Sequence, residues 1–257
     1  FEAAGTTPYH FISAAAMSKQ SSNPVRELRY VNNDAARGVE HMEMLGIRYF
    51  MAYTPEAIAQ ASQQPELRLV ATSGPWQVFE LNDLSIVKPL TVEPVVVQKR
   101  NGDIRERWLE IGTSYFQNSS EWNALPVADG PKSWQRVDAE VDLTRQIGEE
   151  GGPGRQVDVV VPSAPIAQRD IDPVTISNVS KGNESISFSV DKIGTPVLVK
   201  VSYFPNWKVK GADKVYRAAP NMMVVVPTSE SVTLTYKESL LDRSSYLLTL
   251  AGIVLVI

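Results

Sequence analysis

The sequence has no cysteine, and its 257 residues include only two histidines, His10 and His41. The absence of thiols excludes disulfides and thiolate metal sites. A zinc site of the usual histidine-rich kind would need both imidazoles together with carboxylates, and the two histidines share no motif. The sequence therefore predicts neither a metal nor a cofactor.

Recognisable catalytic motifs are missing from the sequence as well. It has no Gly-x-Ser-x-Gly elbow that would hold a nucleophilic serine. The Gly-Gly-Pro-Gly-Arg stretch at 151–155 lacks the Lys-Ser/Thr ending of a phosphate-binding loop. These absences favour a chain that is not catalytic by itself, and they make a self-contained soluble hydrolase the least favoured alternative.

The sequence also lacks an excess of basic residues, since its net charge is −4. Nucleic-acid-binding domains normally carry a basic excess, so no nucleic-acid partner is predicted. Hydrophobic residues make up 43% of the chain and charged residues 21%, which are ordinary values for globular protein. This length and composition predict one large domain or two modest ones.

Long hydrophobic runs are absent except at the very end, where residues 246–257 are uncharged and almost wholly apolar. A bilayer span needs about 20 such residues. A charged segment precedes this run, so residues 244–257 are predicted to start a truncated transmembrane helix. A buried terminal strand or short helix is the alternative. The first residues do not resemble a signal peptide, and we expect a water-facing piece of a longer membrane protein.

The first part of the chain mixes helix and strand patterns. Asp34 is placed to cap a helix that Gly46 would stop. A strand follows at 47–53, and a hairpin is expected from strands at 67–71 and 76–81. The predicted strand places four residues on one face: Ile47, Tyr49, Met51 and Tyr53. We predict a mixed α/β region over residues 1–165, with loops from 118 onward.

The second part of the chain has the pattern of an all-β domain. Apolar residues alternate with polar ones in short segments that turn residues separate, which is typical of antiparallel sandwiches. Residues 166–243 are therefore predicted to form an antiparallel β-sandwich of the jelly-roll or immunoglobulin-like kind. The whole chain is predicted to have an α+β fold.

An aromatic stretch, Tyr203-Phe-Pro-Asn-Trp207, lies between two predicted strands of this sandwich. Proline fixes φ at a turn, and asparagine tolerates left-handed backbone. Tyr203 and Trp207 then fall on the inward faces of the two strands. The stretch is either an aromatic corner that fills the sandwich or a platform on which a sugar ring stacks.

Four further residues are candidates for glycan binding. Trp122 and Trp134 lie in a polar, loop-rich stretch, where exposed indoles would line a groove for a glycan or seal an interface with the membrane domain. Asp170 and Asp172 precede a proline at a strand entrance, and their spacing puts both carboxylates on one face of an extended strand. Such a pair would hold a cation or a sugar hydroxyl, or would be an exposed loop pair.

The stretch SYFPNWKVKGADKVYRAAPNMMVVVP, followed by SVTLTYKES, resembles the C-terminal extracytoplasmic region of large bacterial polytopic membrane proteins. These are the YfhO-type family and the actinobacterial proteins labelled "pyruvoyl-tetrahydropterin synthase related". Segments 44–53 and 76–81 resemble the same family's preceding α/β region. The matching residues of the corner are Tyr203, Pro205, Trp207 and Lys208, then 211–213 and 224–227.

The resemblance implies a relative of the membrane-embedded GT-C glycosyltransferases, which use a lipid-phosphate-linked sugar at the outer face of the plasma membrane. The resemblance implies catalytic carboxylates near the first transmembrane helices of such proteins, so no catalytic residue is assigned here. The implied partners are the chain's own transmembrane domain and a cell-envelope glycan. The implied function is an extracytoplasmic accessory domain that binds glycan or shields the active site. A structural module that binds envelope proteins and no sugar is the alternative.

Overall fold

The computed structural model describes residues 34–82, 84–98, 104–147 and 157–238, with residues 244–245, 249 and 252–253 near the end. Helices and predominantly antiparallel sheets combine in the predicted α+β fold. Most of the predicted transmembrane start at 244–257 lies outside these residues. Within the described part of the chain, no helix has the length and apolar character needed to span a membrane.

The first helix, α1 (Ala35–Leu45), begins and ends where the sequence predicts. The Asp34 carboxylate accepts a hydrogen bond from the backbone N–H of Arg37 at 3.1 Å. Gly46 adopts left-handed backbone with φ of 74° and ends the helix. An N-terminal cap and a glycine stop of this kind satisfy backbone groups that the helix itself leaves unpaired.

A three-stranded antiparallel sheet follows, with strand order β1-β3-β2. Its strands are β1 (Tyr49–Ala52), β2 (Leu67–Ser73) and β3 (Trp76–Leu81), and α2 (Pro55–Ser62) connects β1 to β2. The two helices cover one face of this sheet and bury a small core. The core consists of Ala35, Val39, Met42, Ala52, Ala57, Ala61, Leu67, Phe79 and Leu81.

A seven-stranded sheet forms one layer of the rest of the molecule, in the order β4-β12-β15-β14-β6-β5-β7. Its strands are β4 (Val87–Pro89), β5 (Val95–Val97), β6 (Pro126–Val127), β7 (Arg136–Val137), β12 (Val197–Val199), β14 (Ala212–Ala218) and β15 (Met222–Pro227). β5 pairs in parallel with β6 and β7, and the other pairings described in this sheet are antiparallel. This sheet combines strands that precede residue 165 with strands that follow it. The predicted boundary between the α/β region and the sandwich therefore does not separate the strands of this sheet.

The second layer is a four-stranded antiparallel sheet, in the order β10-β11-β16-β13. It contains β10 (Ile176–Lys181), β11 (Ser185–Val190), β13 (Trp207–Lys210) and β16 (Ser231–Tyr236). Alternate side chains of β11 are buried, as the sequence pattern predicts. The two layers enclose a sandwich core that consists of Val87, Val174, Ile186, Phe188, Val190, Val197, Val199, Met223, Val225, Val232 and Leu234.

The stretch from 118 to 165 is more regular than the predicted loops. Besides β6 and β7, it contains a 3₁₀ helix (Ser119–Trp122) and the paired strands β8 (Ala139–Ile147) and β9 (Val157–Pro162). Helix α3 (Ile104–Gln117) packs on this region, and its Ser114 hydroxyl accepts a hydrogen bond from the backbone N–H of Val160 at 2.9 Å. The prediction of loops was wrong here. β6 and β7 contain only two residues each, too few to show alternation, whereas β8 and β9, with nine and six residues, are strands that the prediction missed.

Contacts with α3 and with Lys200 hold α1 against the rest of the molecule. His41 is buried, stacks on Phe116 of α3 with a centroid distance of 3.8 Å, and lies with Nε2 3.1 Å from the Phe116 carbonyl oxygen. Since a carbonyl only accepts, Nε2 carries the proton. On the other side, the Lys200 ammonium donates to the Glu43 carbonyl in the last turn of α1. The three-stranded sheet is thereby held against the sandwich by the helix that covers it.

Candidate functional site

The face of the three-stranded sheet that the helices do not cover is open to solvent. We call it the outer face and define it by Tyr49, Met51, Tyr53, Arg68, Trp76, Val78 and Glu80. Residues directly opposite each other on paired strands share a face. Tyr49, Glu80 and Arg68 therefore form one row across the strands, and Met51 and Val78 belong to the next.

Four large apolar or aromatic side chains of the outer face are exposed. Tyr49, Met51, Tyr53 and Trp76 each retain between 43% and 55% of their surface in water. Rings of Tyr53 and Trp76 are in contact, with centroids 4.8 Å apart and planes tilted by 47°. Contiguous exposed apolar groups of this kind mark a binding surface more often than scattered ones do.

Charged groups lie at one end of the outer face. The Arg68 guanidinium and the Glu80 carboxylate form an ion pair at 2.6 Å, in the row that also contains Tyr49. Beyond this row an open cleft is lined by Arg48, Arg68, Glu80, Leu81, Asn82, Leu84 and Ser85. The outer face thus combines an aromatic end with a polar end.

Alternation in the sequence predicts the shared face of Tyr49, Met51 and Tyr53 but not its exposure. The opposite face of β1 has Phe50 and Ala52, and that of β3 has Phe79 and Leu81, so both faces of both strands contain apolar residues. The helices cover the face with Ala52 and Phe79, which leaves the tyrosines in water. The small residues Ala52, Ala57 and Ala61 indicate where the sheet and helices approach closely. They were the sequence feature that could have shown which face the helices cover.

Comparison with known proteins supplies no relative for this surface. No family model, no curated protein and no solved structure matches the chain. The function of the outer face must therefore be inferred from its own residues.

Around Tyr203 and Trp207 the aromatic corner connects the two layers of the sandwich. Strands β12 and β13 on either side of it belong to different sheets, so the corner carries the chain from one layer to the other. Trp207 packs edge-on against Tyr236 with a centroid distance of 5.6 Å, and its indole N–H donates to the Ser202 carbonyl at 3.2 Å. These contacts support the interpretation of a filled corner.

Tyr203 is fixed by its surroundings in the same way. Its ring and that of Trp108 both lie near the Arg217 guanidinium, at 5.7 and 5.1 Å from the ring centroids. Its backbone N–H donates to the Asn221 carbonyl at 2.8 Å. Tyr203 and Trp207 are both half-buried against the sandwich core, and Phe204 is the exposed ring of the corner. As glycan-binding residues, Tyr203 and Trp207 stay predictions.

The predicted exposure of Trp122 and Trp134 is wrong, since both indoles are buried. Trp122 is completely enclosed by α3 and by the strands that follow it. Trp134 packs 5.6 Å from the ring of Tyr216, and a Cβ atom on Gly130 would lie 2.3 Å from the indole. The polar residues beside Trp122 and Trp134 in the sequence predict exposure. The segment folds back around β5, however, and this tertiary packing buries both indoles. Neither ring offers a face to a sugar.

The remaining candidates lie apart from the outer face. Asp170 and Asp172 are both exposed, and the backbone of Asp170 forms an isolated bridge with Val92. Among the described residues, no three His, Cys, Asp or Glu side chains converge as a metal site would require. The carboxylate pair therefore stays a prediction as a contact for a sugar hydroxyl.

His41 is not placed to act as a general base. Burial and the neighbouring Arg37 guanidinium lower the pKa of His41 to about 4, against smaller opposing effects of the Phe116 carbonyl and Asp34. Its Nδ1 atom is buried and has no hydrogen-bond partner among the described residues. His10 lies outside the described residues. A buried imidazole that stays neutral contributes to packing in this structure.

Proposed function

We propose that this chain is the extracytoplasmic accessory region of a bacterial multi-pass membrane protein related to the GT-C glycosyltransferases. In this proposal it binds a cell-envelope glycan on the outer face of the three-stranded sheet, at the plasma membrane, and performs no catalysis itself. The membrane setting rests on the family resemblance of the corner at Tyr203–Trp207 and of the α/β segments. The binding role rests on the exposed rings.

The observation that carries the binding role is the exposed pair Tyr53 and Trp76 on a sheet whose other face is packed. Flat aromatic rings offer apolar surface to the C–H face of a pyranose, while sugar hydroxyls remain in water. Trp76 belongs to β3, and Tyr53 directly follows β1. Helices α1 and α2 cover the other side of both strands, so the rings project from a supported surface. A rigid platform costs less conformational entropy on binding than a flexible loop does.

A second candidate function is supported by Met51, which lies on β1, between Tyr49 and Tyr53 in the sequence, and is 44% exposed. A thioether adapts to irregular apolar surfaces and is common at protein contacts. The outer face would then dock on the chain's own transmembrane domain or on another envelope protein. Docking would depend on apolar area, whereas glycan binding depends on flat rings.

Substitutions on the outer face separate these two functions. We expect Trp76→Ala and Tyr53→Leu each to weaken binding of a solubilised cell-envelope polysaccharide by about tenfold, since about 1.4 kcal/mol corresponds to that factor. Phe204→Ala, which removes the exposed ring of the corner, is the matched control and should bind normally. Calorimetric titration of the full chain measures each affinity.

The protein-docking alternative predicts a different pattern. Tyr53→Leu keeps apolar area and would leave docking intact, whereas Met51→Lys would abolish it. Two results together would favour docking over glycan binding. The wild-type chain would bind no polysaccharide, and it would recover one defined envelope protein that the Met51→Lys variant does not recover. Full transferase activity of the parent protein after deletion of this region would also contradict the proposed role.

A further inference from the structure

The cleft at the polar end of the outer face has an excess of positive charge among its described residues. Its lining contains two guanidinium groups, Arg48 and Arg68, and one carboxylate, Glu80. The Glu80 carboxylate forms an ion pair with Arg68 at 2.6 Å. The side chain of Arg68 is 63% exposed, so this pair leaves much of its guanidinium accessible.

Arg48 is the second cation of the cleft and is exposed. Its guanidinium has a weak hydrogen bond to the Leu84 carbonyl at 3.4 Å, and no described carboxylate pairs with it. Arginine presents several N–H donors in one plane, which match the paired oxygens of a carboxylate or a phosphate. The group that best complements this cleft is therefore an anion.

The cleft and the outer face share two residues, Arg68 and Glu80. Tyr49, in the row of Glu80 and Arg68, is four residues before Tyr53 on the same edge of the sheet. At the rise of an antiparallel strand this separation is roughly 14 Å. A ligand that reached both ends would have to be an oligosaccharide and not a single sugar.

We propose that the Arg48–Arg68 cleft holds an acidic substituent, a carboxylate or a phosphate, of the glycan that stacks on Tyr53 and Trp76. This inference rests on the proposed glycan-binding function and specifies its ligand as an acidic polysaccharide. The rings would supply contact that tolerates many sugars, and the guanidinium groups would select among them by charge. Selection by charge also predicts that added salt weakens binding.

The test uses one envelope polysaccharide fraction that has both uronic acid and phosphate groups. The full chain is titrated with the native polymer, with polymer whose carboxylates have been reduced to alcohols, and with polymer whose phosphates have been removed. Arg48→Gln is the test variant. Lys208→Gln is the charge-matched control, because Lys208 is exposed on β13 in a different sheet.

We expect wild-type chain to bind native polymer about tenfold more tightly than polymer that has lost the recognised group. The treatment that weakens binding identifies that group as carboxylate or phosphate. Arg48→Gln should bind native polymer as weakly as wild-type chain binds treated polymer, and Lys208→Gln should behave like wild type.

Equal affinity of wild-type chain for native polymer and for both treated polymers would overturn the inference. Glycan binding would survive that result if Trp76→Ala still weakened every titration. An equal loss in Arg48→Gln and Lys208→Gln would also overturn it, because the attraction would then come from overall charge and not from the cleft. Absence of binding to all three polymers would remove the proposed function together with the inference.

Discussion

Replacement of Gly211 by alanine is expected to destabilise the protein more than any surface substitution. Gly211 has φ of +82° at the point where the chain leaves β13 in one sheet and enters β14 in the other. Its carbonyl accepts hydrogen bonds from the backbone N–H groups of Thr228 and Ser229, at 2.9 and 3.1 Å. A Cβ atom here would lie 2.0 Å from the backbone oxygen of Ser231.

Left-handed backbone costs a residue with a Cβ about 1–2 kcal/mol, and forced overpacking costs typically about 1–3 kcal/mol more. We therefore expect Gly211→Ala to lower the free energy of unfolding by about 2–5 kcal/mol, measured by urea denaturation. Gly194→Ala is the control, because Gly194 has φ of +86° but no atom of the described residues lies within 4 Å of the point that a Cβ would occupy. It should lose only about 1 kcal/mol. Equal losses in the two variants would refute the close approach at Gly211.

Acid is expected to weaken the contact between α1 and α3 through His41. The pKa of His41 is lowered by burial and by Arg37 to about 4 in the folded protein, whereas an unfolded chain has the ordinary value of 6.5. Below pH 6.5 the unfolded state therefore binds a proton that the folded state does not yet accept. The stabilisation that the lowered pKa of His41 contributes is fully present above pH 6.5 and is lost as the pH falls toward 4.

The interval between these two pKa values corresponds to roughly 3 kcal/mol of lost stability at pH 4. Carboxylates titrate near the same pH, so the measurement compares wild type with His41→Gln, which keeps a side-chain donor but has no titrating imidazole. Urea denaturation from pH 7.5 to 4 should show the variant less stable at neutral pH and the difference shrinking or reversing in acid. A difference that stayed constant with pH would mean that His41 titrates normally in the folded protein.

Local features of the fold could be predicted because they depend on neighbouring residues. The cap at Asp34, the stop at Gly46 and the hairpin of β2 and β3 are all confirmed. The alternation that predicts the sandwich is confirmed in β11 and β16. Each of these depends on spacing within a few residues, which the sequence displays directly.

Features that depend on distant partners could not be predicted. The sequence predicts a strand on each side of the corner, but not that β12 and β13 pair with different strands in different sheets. Trp122 and Trp134 have polar neighbours but are buried, because residues far along the chain enclose them. The outer face was identified as a shared face of β1, but which face the helices cover depends on tertiary packing.

The proposal that glycan binds the outer face is tested most directly by hydroxyl-radical footprinting of the full chain, with and without cell-envelope polysaccharide. Radicals oxidise exposed aromatic and methionine side chains, so the method reports on Tyr49, Met51, Tyr53 and Trp76 individually. We predict that polysaccharide protects these four residues and leaves Phe204 of the corner as reactive as before. Protection of Phe204 with no change on the outer face would contradict the account.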